Sequence, residues 1–248
     1  DALPIYGKSV EFAEIFGSFN RMKEEIRCLK IDNYERQLAE EKTKRQFLQT
    51  QIKSHFFLNC LNIIYSLAEL RDYRLIQKMD LHMVQHMRYL ARREDEPVTV
   101  AMELEHIRNY MEIQKLRYPG QFSYTIEVEP ECEQAAVYPL VLHSFVENAV
   151  KHGVDPEKES RIAIAVSRGK DRLIFVVTDN GAGFLPELLD TLNESSGEAK
   201  LYGLSGVGIA NCKSRLALHY REEAMVRFAN IEPSGARVEI SFPFTCCR

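Results

Sequence analysis

The sequence lacks several features that would assign it to a common class of protein. Its longest apolar runs, such as AAVYPLVL at residues 135–142, fall well short of the roughly 20 residues that cross a bilayer. The formal net charge of −4 gives no overall positive field to attract nucleic acid. No GxxxxGK[ST] motif occurs, which excludes a Walker-type nucleotide site. A chain with no nucleic-acid partner and no membrane span of its own is therefore expected.

The cysteines also lack a recognisable pattern. The chain has 6 of them, without a Cys-x-x-Cys pair and without a Cys/His cluster at zinc spacing. Reduced thiols in a cytosolic compartment are therefore expected. The chain opens with DALPIYGKSV, which contains neither an initiator Met nor a signal peptide. This start favours a fragment of a longer protein, although processing of the protein would produce the same N-terminus.

A seam of apolar residues at steps of three and four marks the N-terminal region, and its members are Phe12, Ile15, Phe19, Met22, Ile26 and Leu29. Such spacing is typical of a coiled coil. Residues 30–50 are then highly charged, and the seam thins. Because so polar a helix gains little stability alone, a partner helix and a dimeric coiled coil are predicted. An amphipathic helix packed on its own domain is the alternative.

The remainder divides into a helical half and an α/β half. Helical patterns cover residues 46–91 and 101–116, and a turn signal follows at Pro119-Gly120. Alternating or continuous apolar runs then predict strands at 122–129, 161–167, 172–179, 224–229 and 236–242. Helices are predicted at 138–152, 185–193 and 207–219. The expected fold class is α+β, ending in an α/β sandwich with two antiparallel hairpins, 161–167 with 172–178 and 224–229 with 236–242.

Three segments of the second half carry the chemistry of a nucleotide site: FVENAVKHG, TDNGAGF and YGLSGVGIANCKSRL. The glycines of the last segment would let backbone N–H groups approach a phosphate in front of a helix N-terminus. Asn148 could hold Mg²⁺, which prefers oxygen ligands, and Lys151 could contact phosphate oxygens. Asp179, at a strand end, could accept a hydrogen bond from the amine of adenine. Each segment alone is weak, since it could be a tight turn or a glycine-capped helix end.

Together, the three segments resemble the N-box, the DxGxG turn and the second glycine box of the GHKL ATPases, whose ATP-binding fold is the Bergerat sandwich. Upstream, QIKSHFFLNCLNII resembles the QINPHFLFNTLNSI block of LytS/YesM-type sensor histidine kinases. VTVAMELEHIRNYMEIQKLRYPGQF resembles that family's linker helix, and YPLVLHSFVENAVKHGV its N-box block. SVEFAEIFGSFNRMKEEIRCL resembles the second helix of a HAMP signal-relay module. The resemblance covers nearly the whole chain.

The resemblance implies a domain order. Residues 1–45 would be a HAMP-like end and coiled-coil signalling helix, 46–119 a helical dimerisation and histidine phosphotransfer domain, and 120–248 a GHKL ATP-binding catalytic domain. The chain would act as a homodimer, with ATP and Mg²⁺, and would pass phosphoryl groups to the receiver domain of a response regulator. It would be the cytoplasmic portion of a bacterial inner-membrane protein, attached to the membrane only through segments absent from this chain.

The resemblance also implies roles for individual residues. His55 would accept the γ-phosphoryl group of ATP, Asn148 would ligate Mg²⁺, and Lys151 would contact the phosphates. Asp179 would recognise adenine, in a pocket shaped by Gly181 and Gly183. Gly206 and Gly208 would form the hinge of a flexible ATP lid over residues 188–204. His152 would either face phosphate or simply end a helix before Gly153.

Two pairs of residues depart from the family's pattern. Lys53-Ser54 stands where the family usually has Asn-Pro before the histidine, and His143-Ser144 stands where it usually has Gln-Pro in the N-box block. Because a proline helps to set the helix geometry at the nucleophile, a straighter helix is expected around His55.

The residue that orients His55 is predicted from helical spacing. A polar stripe runs through an otherwise apolar helix, formed by His55, Asn59, Asn62, Ser66 and Glu69. Asn59, one turn after His55, could hold one imidazole nitrogen and leave the other free to react. The stripe is expected to face solvent and the ATP domain. For an isolated histidine, a side chain satisfied within a helical bundle would be the alternative.

The other histidines form no site by sequence alone. His82 and His86 are spaced i, i+4 and could be a metal pair, but no third ligand is placed, so a bundle surface is the favoured interpretation. His106, His143 and His219 belong to no recognisable constellation.

Three functions remain to be compared. The first is an ATP-dependent protein-histidine kinase of a two-component system, phosphorylated on His55. The second is a catalytically impaired Bergerat-fold ATP-binding module with a regulatory role, which the Lys53-Ser54 segment keeps open. The third is a GHKL ATPase of the chaperone or mismatch-repair kind, which the short length and the histidine block disfavour.

Overall fold

The computed structural model describes residues 56–93, 96–155, 157–193 and 207–247, together with four isolated helical residues nearer the N-terminus, Met22, Lys23, Arg27 and Lys30. The chain forms two compact units, residues 1–61 and 62–248. Apart from those four residues, the predicted coiled coil lies outside the described part of the chain. The domain limits at residues 45 and 119 stay predictions.

The predicted helical block over residues 46–91 is two helices in its described part. Helix α1 covers residues 56–69, and α2 is Tyr73–Leu90. Between them Arg71 adopts a left-handed conformation with φ 56°, which α-helices do not tolerate. The Asp72 side chain then accepts a hydrogen bond from the Leu75 N–H at 3.1 Å and caps α2. An N-cap aspartate was therefore the sequence signal for this break.

Helix α3, Val100–Arg117, confirms the helix predicted at 101–116. Its N-cap is Thr99, whose hydroxyl accepts a hydrogen bond from the Met102 N–H at 3.2 Å. Just before it, strand β1, Val98–Thr99, pairs antiparallel with β3, Ala136–Val137. Two strands of two residues each are too short for an alternating pattern, so the sequence did not indicate them.

The main sheet has five strands in the order β2-β4-β5-β7-β6. Their bounds confirm the five predicted strands: β2 Phe122–Val128, β4 Ser160–Gly169, β5 Arg172–Asp179, β6 Met225–Asn230 and β7 Ala236–Pro243. Both predicted hairpins, β4–β5 and β6–β7, are antiparallel as expected. The pairing of β2 with β4 is parallel and was not predicted, because it joins segments that are far apart in the chain.

Among the described residues, three helices accompany the sheet: α4 Val141–Gly153, α5 Pro186–Asn193 and α6 Val207–Tyr220. Helix α4 packs on β4, β5 and β7 and against α6, and it also contacts α3. The strand faces alternate accordingly, with Leu173, Phe175 and Val177 of β5 buried between partly exposed neighbours. Asp179 continues this period of two, so its carboxylate arrives on the buried face at the strand's end.

The predicted α+β fold class is confirmed: helices come first, and a domain with a five-stranded sheet and helices follows. Among the described helices, none is both long and apolar enough to cross a membrane.

Candidate functional site

Asp179 is the most constrained residue of the candidate site. Its side chain is only 8% exposed, and its Oδ1 accepts hydrogen bonds from the backbone N–H groups of Gly181 at 2.9 Å and Ala236 at 3.3 Å. No described residue donates to its Oδ2. The two bonds fix the carboxylate at the rim of the sheet, and Oδ2 is the oxygen left to accept from a ligand.

Burial raises the pKa of Asp179 above its usual value, while the N–H groups of Gly181 and Ala236 and the His152 side chain act in the opposite direction. No described cation forms a salt bridge with this carboxylate. A hydrogen-bond donor on a ligand would therefore lower the free-energy cost of burying the Asp179 carboxylate, which the protein's own contacts do not fully offset.

Gly153 and Gly181 let the end of α4 approach Asp179. A Cβ on Gly153 would lie 2.7 Å from Asp179 Cγ, and a Cβ on Gly181 would lie 2.7 Å from the Gly153 Cα. Helix α4 includes Gly153, and the next residue, Val154, is extended with φ −86°. The glycine therefore serves close approach, rather than the left-handed helix cap that was the alternative from sequence.

Gly183 and Gly235 hold the turn after β5. Both have positive φ, 76° and 132°, and a Cβ on Gly235 would fall 2.0 Å from the Asp179 carbonyl oxygen. Asn230, at the end of β6, accepts from the Phe184 N–H at 2.7 Å and donates to the Phe184 carbonyl at 2.9 Å. Gly235 and Asn230 were missed from sequence, since their only signal was an ordinary hairpin turn.

Asn148 lies half-buried on α4, and its amide orientation is set by α6. Its Nδ2 donates to Cys212 Sγ at 3.2 Å. Because this contact uses the amide nitrogen, Oδ1 is the atom presented to a ligand, and no described residue donates to it. Cys212 was not predicted as part of the site, since a single cysteine in an amphipathic helix carries no distinctive signal. An amide oxygen suits the oxygen preference of Mg²⁺.

Glu147, Lys151 and His152 are the titratable groups in the last two turns of α4. Burial raises the pKa of the half-buried Glu147, against the lowering influence of Lys151 and Arg215. Partial burial and the Lys151 charge lower the pKa of His152, although Asp179 opposes them. Lys151 is exposed in the last turn of α4, where its ammonium is accessible to an anion.

Other predicted site residues are only partly covered by the description. His55 and Gly206 lie outside the described residues, and Gly208 is in the first turn of α6. The predicted lid is described as far as Asn193, the end of α5, where the Asn193 side chain bonds both backbone groups of Phe228.

The predicted polar stripe on α1 is partly described. Asn59 is half-buried, whereas Asn62, Ser66 and Glu69 are exposed. The role of Asn59 in orienting His55 therefore stays a prediction.

Two family models match the chain in succession. The model described as histidine kinase matches residues 43–122, and the model described as histidine kinase-, DNA gyrase B- and HSP90-like ATPase matches residues 138–245. The second range holds α4, β5 and α6, and therefore all the described residues of the candidate site.

Characterised relatives agree with these matches. The sensor histidine kinase YesM of Bacillus subtilis is 27% identical over 91% of this chain, and the sensor protein LytS of Oceanobacillus iheyensis is 27% identical over 97% of it. This chain spans 37% and 41% of their lengths. Among solved structures, the catalytic domain of histidine kinase ThkA is 14% identical with a TM-score of 0.47, covering 59% of this chain and 93% of that one, a likeness too low to support any statement about the site. A histidine kinase region is therefore followed by a histidine kinase-like ATPase region, and the curated relatives of this chain over most of its length are LytS and YesM sensor histidine kinases.

Proposed function

We propose that this chain is the kinase portion of a two-component sensor, which phosphorylates itself on His55 with ATP and then passes the phosphoryl group to an aspartate of a response regulator. The observation that carries the proposal is the convergence of Gly153, Asp179 and Gly181, which fixes a buried carboxylate with one oxygen unused. The need for ATP supports a cytoplasmic location for this activity.

Adenine recognition is assigned to Asp179. Its Oδ2 would accept the hydrogen bond from the exocyclic amine, which relieves the cost of burying the carboxylate. Gly181 and Gly183 would shape the pocket beside the turn, since side chains at these positions would collide with Gly153 and Asn230 and displace the turn. Asn230 and Gly235 are positioning residues, because they hold the turn rather than the nucleotide.

The phosphates are assigned to the exposed side of α4. Lys151 would contact phosphate oxygens, and His152 would lie beside them. Asn148 would hold Mg²⁺ through Oδ1, with its amide kept in orientation by Cys212. When bound, Mg²⁺ neutralises charge on the phosphates and favours transfer. Gly206 and Gly208 would flex as the lid closes over the nucleotide.

Phosphoryl transfer to His55 is assigned to its neutral imidazole, available near pH 7 because the unperturbed pKa is about 6.5. An imidazole nitrogen attacks the γ-phosphorus, the P–O bond to the β-phosphate breaks, and ADP leaves. The other ring nitrogen then releases its proton to solvent. Asn59 would hold the other ring nitrogen. The aspartate of a receiver domain then attacks phosphorus and the P–N bond breaks, which returns neutral His55 once a proton is taken up.

A homodimer is part of the proposal. Helix α1, which follows His55 in the sequence, and helix α2 expose large apolar side chains, namely Leu58, Leu61 and Tyr65 on α1 and Leu81 and Val84 on α2. A second copy of the chain would cover these surfaces. The catalytically impaired ATP-binding module is not favoured, because the chain also matches the histidine kinase model over residues 43–122.

The test is incubation with γ-labelled ATP and Mg²⁺ for the wild type, His55→Gln and Asn148→Asp, with His219→Gln as a matched control outside the site. Acid-labile, base-stable label is expected in the wild type and in His219→Gln. It should fall at least about tenfold in both other variants. Nucleotide binding by a fluorescent ATP analogue should be lost in Asn148→Asp and kept in His55→Gln.

Two results would contradict the proposal. Wild-type protein that binds nucleotide but takes up no label would be the impaired module instead. Label that survives His55→Gln would place the phosphoryl acceptor elsewhere in the chain.

A further inference from the structure

Three histidines that the sequence left without a site meet inside the second compact unit. His86 comes from α2, His106 from α3 and His143 from α4. All three are buried, at 3%, 2% and 6% exposure. One ring nitrogen from each lies within 4.8 Å of the other two. The favoured interpretation of His82 and His86 as a bundle surface is wrong for His86, which is buried. His82 lies apart from the cluster, with its Nδ1 2.8 Å from the amide oxygen of Asn109.

The cluster contains buried nitrogens without hydrogen bonds. Neither ring nitrogen of His106, nor Nδ1 of His143, has a hydrogen-bond partner among the described residues. A buried polar atom left unpaired destabilises the folded state, and native structures usually supply a water or an ion in such places. A bound group that accepts electron density from the imidazole nitrogens would remove this cost of leaving them unpaired.

The protonation of the cluster suits a metal ion. Burial and the neighbouring His86 lower the pKa of His106 to about 3. Burial, together with the other two histidines and Arg215, places the pKa of His143 well below its usual value. Both imidazoles are therefore neutral at pH 7, with one nitrogen lone pair each available for coordination.

Packing alone does not account for the residue choice. The rings stack, with centroids 4.5 Å apart for His86 and His106 and 4.1 Å apart for Tyr89 and His106. Phenylalanine rings would stack equally well and would leave no nitrogen unpaired. The adjacent carboxylate of Glu103 is fully used, since it accepts from the Tyr89 hydroxyl and from the backbone N–H groups of Leu140 and His143.

We propose that His86, His106 and His143 bind one divalent transition-metal ion of the zinc class, at a site separate from the Mg²⁺–ATP site. Imidazole is a preferred ligand of such ions, and three protein ligands leave a position for water. Ligands about 2.0–2.1 Å from a tetrahedral zinc ion lie about 3.3 Å from each other. Binding therefore draws the three rings together by roughly an ångström and tilts the stacked pair.

The ion would join three helices. His143 is in the first turn of α4, five residues before Asn148, and the other two ligands are on α2 and α3. An occupied site would fix the position of α4 relative to the helical half. This inference does not depend on the proposed kinase activity, because it concerns ion uptake by the folded chain.

The test is direct titration of the metal-free, 248-residue chain with Zn²⁺ by calorimetry and with Co²⁺ by visible absorption. One ion per chain and a cobalt spectrum of tetrahedral nitrogen ligation are expected. His106→Phe and His143→Gln should weaken uptake at least about tenfold. His219→Gln is the matched control, since its ring stacks on Tyr138 outside the cluster, and it should bind as the wild type does.

Several outcomes would overturn the inference. If the wild-type protein takes up no ion, the three histidines serve packing only. A near-ultraviolet thiolate-to-cobalt charge-transfer band would assign the ion to cysteines. Equal weakening by His219→Gln would indicate dispersed surface binding. If a cluster variant does not fold, the wild-type stoichiometry and cobalt spectrum still decide the result.

Discussion

At the scale of single residues, the site depends on positions where any side chain would be too large. Gly153 and Gly181 surround the Asp179 carboxylate, and Gly235 lies against its backbone carbonyl. The N-box and DxGxG segments made Asp179 and Gly181 predictable. Gly235 comes from a hairpin far along the chain, so its contact with Asp179 could be found only once the strands were paired.

Gly153→Ala tests the close approach of α4 to Asp179. The added Cβ would lie 2.7 Å from Asp179 Cγ, so the helix end or the carboxylate must shift. We expect binding of a fluorescent ATP analogue to weaken at least about tenfold and the free energy of unfolding to fall by about 1–3 kcal/mol.

Gly169→Ala is the matched control for that substitution, since its Cβ would meet only the flexible end of Ile174, at the far end of β5. It should bind the analogue like the wild type. Unchanged binding by Gly153→Ala would show that the contact is not needed for the nucleotide site.

Cys212 should resist alkylation in the folded protein. Burial raises the pKa of its thiol to about 12, whereas Cys246 is exposed. Because the thiolate is the reactive form, iodoacetamide should modify Cys246 at least about tenfold faster than Cys212. Peptide mass mapping over time checks the order, and urea-unfolded protein, in which both should react alike, is the control. Rapid native labelling of Cys212 would contradict its placement between α4 and α6.

At the scale of elements, charged contacts connect the helical half to the sheet. Glu112 of α3 accepts hydrogen bonds from Lys78 of α2 at 2.5 Å and from the Tyr124 hydroxyl of β2 at 2.9 Å. Burial alone would raise the pKa of Glu112, but these bonds and the charges of Lys78 and Lys115 outweigh it and lower the pKa. Three elements therefore share one ionised carboxylate.

Glu112→Gln should lower the free energy of unfolding at pH 7 by about 1 kcal/mol, because the side chain is partly exposed and its contacts are partly screened. Since the folded-state pKa is the lower one, the contribution is present above the unfolded pKa of about 4.5 and disappears as pH falls through the folded value. Urea unfolding at pH 7 and at about pH 3 checks this. Glu105→Gln, exposed on the same helix, should show no such difference.

Periodicity predicted most elements of the described chain but not how they meet. The apolar run of β5 predicted the strand, but not the side of the sheet on which Asp179 lies, because its residues alternate in burial and not in polarity. The cluster of His86, His106 and His143 had no such signal, since its members come from three helices and share no local spacing. Asp72 was a capping signal for the break between α1 and α2. The apolar pattern continues on both sides of Asp72 and obscured this signal.

At the scale of the whole molecule, the proposed dimer would cover the apolar surface of the helices. Leu81 and Val84 of α2 are 55% and 44% exposed, an arrangement that is costly for a lone chain in water. A second copy supplying the same surface is the symmetric solution.

Leu81→Glu combined with Val84→Glu should weaken dimerisation at least about tenfold, because charges would be buried at the interface without partners. Sedimentation velocity over a range of concentrations measures the effect. Leu218→Glu, on α6 and 75% exposed, should leave the oligomeric state unchanged. A double variant that still sediments like the wild type would place the interface elsewhere.

The parallel pairing of β2 with β4 determines where the chain can be cut. The match to the ATPase model begins at residue 138, after β2, yet β2 forms the outer strand of the same sheet. A fragment that starts at residue 138 would leave the backbone groups of β4 unpaired along that edge, which invites association with other strands. Soluble expression of an isolated nucleotide-binding fragment therefore requires a start before Phe122, inside the region that matches the histidine kinase model.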